Sequence, residues 1–344
     1  MPRGRQSMQM SQLHRPLQMP SIMPAVRGSG ICPSLQTRLS NLFRLFRKGS
    51  LFKEEFLKPK SECISCLLSW VCERSGVLAN EEGRLLLTKT LLKILSKEFN
   101  PEINVGSLSN KLTDTIPNYL SQSSKFYQTL KHKNNQLAKK LLGSAKEYIK
   151  KGRTPQQKFE RACTLASTSN VAPMSVPFES FAFLELRRVL EGKKPFPAIM
   201  GPLFQEAQKA SHVLYIADNA GEIGFDSLLM AHLKEMGLKV NLVVKEGPFF
   251  EDATMEDALL FQVDQWVDHI FPMDGFFVPK QIPPPLLDLY KKSDLIISKG
   301  TGSYEALKGE VEGKRTIYML KVKCSPIAME IGADIGSFVV KLEK

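Results

Sequence analysis

What this sequence of 344 residues lacks narrows it quickly. No uninterrupted apolar stretch approaches the ~18–20 residues of a membrane span. No secretory signal with a clean apolar core is present either, so a soluble chain is expected. A G-x-x-x-x-G-K-[ST] loop is missing, as is the G-x-G-x-x-G of dinucleotide sites, which excludes the two familiar glycine-loop nucleotide cradles. The five histidines, His14, His132, His212, His232 and His269, form no H-E-x-x-H or other close pair, which argues against a histidine-based zinc centre. Cysteine is sparse and scattered, at six residues, which fits a reducing compartment better than a disulfide framework. Internal repeats and low-complexity arrays are absent.

Acidic residues are missing from the first 30 positions, and this explains most of the basic charge. Residues 1–60 hold 11 Lys/Arg and 2 Asp/Glu, a net of +9, which leaves only +3 of the total +12 for residues 61–344. The body is nearly balanced, so no nucleic-acid partner is expected. Residues 1–60 are expected to be a basic extension, disordered or targeting. Within it Leu39, Leu42, Phe43, Leu45 and Phe46, set among Arg and Lys, suit a short amphipathic helix. Cytoplasmic location is expected, or an organelle if that extension is a transit peptide.

What is present divides into two grammars. From 61 to 200 the pattern is helical: residues 81–99 carry leucines at helix spacing behind Asn80 as N-cap, and further amphipathic segments follow at 108–120, 134–151 and 178–192. Cys63 and Cys66 form a C-x-x-C on the first of these helices. They are either two cysteines on a core-facing helix or a thiol or metal site completed by Cys324. From 201 to 344, apolar strands alternate with helices, with strands predicted at 212–218, 239–247, 269–274, 294–300, 315–322 and 336–342. The expected fold is α/β: a three-layer, Rossmann-like, mostly parallel sheet behind a helical N-terminal domain, split near residue 200.

In such sheets ligands bind outside the carboxyl ends of the strands. There the first strand delivers Asp218, Asn219 and Glu222, and the second leads through Lys245 to Glu251 and Asp252. A later strand gives Lys299, Gly300, Thr301, Gly302 and Ser303, and the next gives Lys321, Lys323 and Cys324. Hard oxygen donors on one wall suit a divalent cation such as Mg²⁺ or Mn²⁺. Lysines and glycine-exposed amides on the other suit a phosphate. Metal beside phosphate cradle is the equipment of phosphoryl transfer to water. Blander readings exist for single members: Asp226 and Asp252 each also suit helix N-caps.

The blocks ADNAGEIGFD, EGPFFEDATMEDA, LIISKGTGSYEAL and LKVKC resemble, in order, the signature blocks of the damage-control phosphatase family. The CISCLL at residue 63 resembles the C-x-x-C of its archaeal and bacterial branch. The resemblance spans roughly 61–344 and implies metal-dependent phosphomonoester hydrolysis, with Mn²⁺, Co²⁺, Ni²⁺ or Mg²⁺, on sugar phosphates or damaged phosphometabolites. Carried over by position, it implies Asp218, Asn219 and Asp252 as metal ligands and Lys299 on the phosphate side. Asn170, Gly300, Thr301, Ser303 and Lys323 complete the expected substrate contacts, and Asp218 or Glu222 is expected to orient water. The chain departs from the pattern at Pro173, Glu251, Ser303 and the loop FVPKQIP. Two rival readings stand beside the phosphatase: an S-adenosylmethionine-dependent carboxyl methyltransferase, and a non-catalytic metal- and phosphate-binding protein.

Overall fold

The computed structural model describes residues 57–344, apart from 194, 195 and 312. The expectations for residues 1–56, with Cys32 and the amphipathic stretch 39–46, lie outside the described residues. Helices open the described chain: α1 (Ser61–Ser75), α2 (Glu81–Glu98), α3 (Val105–Asp114), α4 (Pro117–Lys150), α5 (Pro155–Thr168) and α6 (Leu184–Leu190). Then come β1 (Ala198–Met200), α7 (Leu203–Gln208), β2 (His212–Ile216), α8 (Glu222–Glu235), β3 (Lys239–Lys245), α9 (Met255–Leu260) and β4 (His269–Met273). The chain continues through α10 (Pro284–Lys292), β5 (Leu295–Lys299), α11 (Thr301–Leu307), β6 (Arg315–Lys321), α12 (Ser325–Ile331) and β7 (Phe338–Glu343).

Local chemistry accounts for many of these boundaries. Asn80 caps α2 by accepting from the Gly83 amide at 2.9 Å. Proline begins α4 and α5, where its fixed φ helps and its missing N–H costs nothing. The segments predicted at 108–120 and 134–151 divide differently in the structure, because Pro117 starts a helix that runs without a break through Gly143 to Lys150. Residues 178–192 are helical only at Leu184–Leu190.

The seven strands pair in the order β1-β7-β6-β5-β2-β3-β4. Strands β6, β5, β2, β3 and β4 are parallel, while β7 runs antiparallel to β6 and parallel to β1. Every residue of β5 is buried, as a strand covered on both faces requires. One face packs with α4, α5 and α8, around Ala162, Leu165, Phe225 and Leu229. The other buries Leu286, Tyr304, Tyr318 and Ile327. The helices α1–α3 add a satellite core of Leu67, Val71, Leu91 and Leu108. The described residues belong to one compact unit, with the expected boundary near 200 inside it, between β1 and α7. No described helix is long and apolar enough to cross a membrane.

From β2 the chain moves outward to β3 and β4, then returns to place β5 on the other side of β2. The reversal opens a crevice between the ends of β2 and β5, where open α/β sheets bind ligands.

Candidate active site

The exits of β2 and β3 are stitched together by backbone. Ala253 N–H donates to the Asp218 carbonyl at 2.7 Å and Ala220 N–H to the Glu251 carbonyl at 2.9 Å. The resulting bridge sets Asn219 opposite Asp252. Asp218, Asn219 and Asp252 therefore share one wall of a partly open cavity of about 100 Å³. The N-cap role considered for Asp252 falls to Thr254, which forms a capping box with Asp257.

Behind that wall lies a buried polar layer. The Asn170 amide donates to Asp218 Oδ2 at 2.7 Å and to both Glu222 carboxylate oxygens at 3.0 and 3.1 Å, while its Oδ1 accepts from Lys321 N–H at 3.2 Å. The Asn219 amide donates to Asp218 Oδ2 at 2.7 Å and to Glu222 Oε2 at 3.0 Å, so its Oδ1 is left for the cavity. Lys299 Nζ pairs with Glu222 and, at 2.7 Å, with Asp226, and all three side chains are fully enclosed.

Three expectations are corrected here. Asn170 and Lys299 do not line the cavity; their polar atoms are taken up by the groups behind Asp218, so they position the site instead of touching a phosphate. Glu222 likewise faces Lys299, Asn170 and Asn219, which removes it as the orienter of water. Asp226 is no N-cap, since α8 already begins at Glu222.

Across the cavity stand Thr301, Gly302, Lys323 and Glu305. Gly300 and Ser303 of the expected cradle are not among the residues that line the cavity. The Gly300 N–H donates to Met319 O at 3.0 Å, and Ser303 is buried. The use of Gly300 is steric: its φ of +84° and its closeness to the Asp218 carboxylate leave no room for a Cβ. Lys323 lines the cavity and makes no salt bridge among the described residues, whereas Lys245 lies 3.5 Å from Asp252 and donates to Gly275 O.

The departure at Glu251 has a partner that sequence spacing could not reveal. Arg74, from the end of α1, pairs with Glu251 and donates to the carbonyls of Pro173, at 2.6 Å, and Ser175, at 3.1 Å. Both ionic side chains are almost wholly buried, so each neutralises the other. Glu305 and Arg74 are among the cavity residues that the sequence reading did not single out: Glu305 lies inside a quoted block without a role, and Arg74 sits near the end of a helix with no local motif to mark it.

Cys63, Cys66 and Cys324 line the same cavity as free thiols. Burial raises all three, and the Glu305 carboxylate adds to the effect; Cys66 is pushed up to about 12 and Cys324 to about 11. Shifts in this direction favour the protonated thiol near neutral pH.

Electrostatics favours a cation at the first wall. Burial and the neighbouring Glu222 raise Asp218 to about 6, against the pull of Lys323. Burial also lifts Asp252 well above the usual carboxylate range, with Lys245 opposing and Asp218 and Glu251 adding to the rise. Two carboxylates under such penalty, with an amide oxygen between them, fit a hard divalent ion that would restore their charged forms. Among the described residues no three Asp, Glu, His or Cys side chains converge as a ready metal cage; this wall offers two carboxylates and the Asn219 amide.

Comparison with known proteins agrees with this architecture. A sequence model described as "Damage-control phosphatase ARMT1-like domain" matches residues 60–339. The chain is 28% identical over 295 residues to damage-control phosphatase PH1575 of Pyrococcus horikoshii, covering 84% of this chain and 99% of that one. It is 29% identical over 297 residues to a damage-control phosphatase of Archaeoglobus fulgidus, covering 83% and 99%. The crystal structure of the DUF89 family protein PH1575 superposes with a TM-score of 0.67 at 27% identity, over 83% of this chain and 99% of that one. With the family model covering most of its length, the chain belongs to the ARMT1-like damage-control phosphatase family.

Proposed function

We propose that this chain is a metal-dependent phosphomonoesterase acting on small phosphorylated metabolites. The observation that carries the reading is the bridged pair of loops that sets Asp218, Asn219 and Asp252 in one cavity with Lys323 and the first turn of α11. The family and the names of its relatives in Pyrococcus and Archaeoglobus support it.

In this reading Asp218, Asn219 and Asp252 hold a divalent ion, for which Mn²⁺, Co²⁺, Ni²⁺ and Mg²⁺ are the candidates. Such an ion supplies positive charge that polarises a phosphoryl group. Lys323 attracts the phosphate dianion and balances charge that develops on it. The Thr301 and Gly302 amides, in the first turn of α11, have no intrahelical acceptor and offer further donors. Asn170, Glu222 and Lys299 keep the Asp218 carboxylate aimed at the cavity. Of the two carboxylates expected to orient an attacking water, Glu222 is enclosed and Asp218 reaches the cavity.

The test is hydrolysis of a generic phosphomonoester with each of the four ions added. Asp252→Ala is expected to lower kcat/KM by roughly 10²-fold or more, the scale seen when a charge-stabilising group is removed. Metal-dependent thermal stabilisation should disappear with it. Unchanged activity in Asp252→Ala would remove the metal assignment, and stabilisation by metal without hydrolysis of any phosphate would favour the non-catalytic reading.

A further inference from the structure

Splitting a phosphate ester of an ordinary alcohol leaves an anion far too basic to depart unaided near neutral pH, so the ester oxygen needs a proton as its bond breaks. Most carboxyls of the cavity are committed elsewhere. Asp218 and Asp252 stand on the proposed metal wall, and Glu251 is bound to Arg74. Glu62, in the first turn of α1, is exposed. Glu305, in α11, is half-buried, and no hydrogen bond or salt bridge engages its carboxyl among the described residues.

Helix α11 starts against Asp218: a Cβ on Gly300, its N-cap, would overlap the Asp218 carboxylate. Thr301 and Glu305 are four residues apart, so they share one face of the helix, and both line the cavity. Glu305 is thus displaced by about 6 Å along the helix from the end that abuts Asp218. Lys323, from the exit of β6, stands near both carboxyls. Burial raises Glu305 to about 7, and Lys323 opposes that rise. At Asp218, which burial and Glu222 raise, Lys323 opposes the rise as well. A phosphate drawn to this ammonium therefore has Asp218 towards one side and Glu305 towards the other. In-line displacement sets the attacking and leaving oxygens on opposite sides of phosphorus. With water on the Asp218 side, the leaving oxygen faces Glu305.

We propose that Glu305 is the catalytic acid that protonates the departing alcohol. The proposal rests on the phosphatase reading, which supplies the position of the phosphate. Water adds to phosphorus, the bond from phosphorus to the ester oxygen breaks, and the Glu305 proton goes to that oxygen. One proton of the attacking water stays on the phosphate product, and the other returns to Glu305 through solvent. The titratable groups that share this part of the cavity are Lys323 and Cys324 after β6, and Glu62, Cys63 and Cys66 of α1. Burial favours the protonated form of the three thiols, so the charges facing Glu305 are those of Lys323 and Glu62. An acid poised near neutral pH both holds a proton and gives it up readily, as general acid catalysis requires.

The experiment compares Glu305→Gln with the unaltered full chain, at saturating Mn²⁺, on two kinds of ester. One is an alkyl ester, the faster of glucose 6-phosphate and glycerol 1-phosphate. The other is 4-nitrophenyl phosphate, whose nitrophenolate departs without a proton. Glu305→Gln is expected to lower kcat/KM for the alkyl ester by roughly 10²-fold or more, and for the nitrophenyl ester by less than about threefold. A residue that only shapes the site would lower both alike. Equal losses, no loss on either, or an unaltered chain that hydrolyses the nitrophenyl ester alone overturns the proposal and leaves the phosphatase reading standing. An unaltered chain that hydrolyses neither kind with any of the four ions overturns both. If Glu305→Gln does not fold, the pH profiles of the unaltered chain decide. Above about pH 7, kcat/KM for the alkyl ester should fall by about tenfold per pH unit relative to the nitrophenyl ester. Parallel profiles overturn the assignment.

Discussion

Arg74 and Glu251 are the residues on which the geometry of the Asp252 loop turns. Their side chains are about 3% and 4% exposed, so removing either partner strands the other in a poorly solvated place. Arg74→Ala is expected to destabilise the chain by about 3–5 kcal/mol, the usual penalty for breaking a buried pair. Pairing it with Glu251→Gln should recover part of that loss, read as the shift in urea midpoint. Gly300→Ala is expected to lower activity through Asp218, because a Cβ would overlap the carboxylate and the φ of +84° is unsuited to alanine. A Gly300→Ala enzyme with normal kcat/KM would show that Asp218 does not need its present position.

At the scale of elements, α8 begins with an unusual core. Glu222 and Asp226 share a single ammonium, Lys299 from the end of β5, and none of the three side chains reaches solvent. Burial opposes the Lys299 charge, but Asp226 and Glu222 more than compensate and raise its pKa. Lys299→Met should cost about 3–5 kcal/mol, because two enclosed carboxylates lose their cation. Neutralising them as well, with Glu222→Gln and Asp226→Asn, should return much of it. Failure of that rescue would mean that Lys299 acts through packing alone.

These same elements show what was legible in the sequence. Strands β2, β3, β5 and β6 stood out because both their faces are covered and their apolar runs are continuous. Helix α5 was hidden: its run ACTLAST is built of small and polar residues that pack closely without looking amphipathic, and a proline opens it. The wall that carries Asp218, Asn219 and Asp252 was readable because strand ends in a parallel sheet converge by topology. The direction in which each side chain turns was not, so Lys299, Asn170 and Glu222 were assigned to the cavity when their charges and amides are paired behind it. Arg74 reaches Glu251 across 177 residues, a separation that no local pattern encodes.

For the whole molecule, enclosed carboxyls make stability depend on pH in a stated direction. Burial raises Asp226 and Glu305 to about 7 and Asp218 to about 6, with Glu222 adding to the rise at both aspartates. Across this window the folded chain holds protons that the unfolded chain has released, because the unfolded values lie near 3.8 for Asp and 4.5 for Glu. Their protonated forms thus favour the fold, fully so below about pH 4, and that contribution is lost as pH rises through 6 and 7. Without added metal, the urea midpoint should be lower at pH 8 than at pH 5.5. Added Mn²⁺ should raise it more at pH 8, where protons no longer compete for Asp218. A midpoint that does not move between these pH values would contradict the enclosed-carboxyl picture.

The reach of Arg74 to Glu251, and of Asn170 to Asp218 and Lys321, also sets an order in time. Helices such as α2 and α4 can form from neighbouring residues alone, but the cavity closes only when segments from both ends of the described chain have met. Contacts that distant form slowly, since a long loop must close before they are rewarded. In refolding from urea, the far-ultraviolet helical signal should therefore return first. Hydrolytic activity should follow as a separate, later phase, and a ribosome-bound chain that still lacks Lys321 should hold helix but no working site.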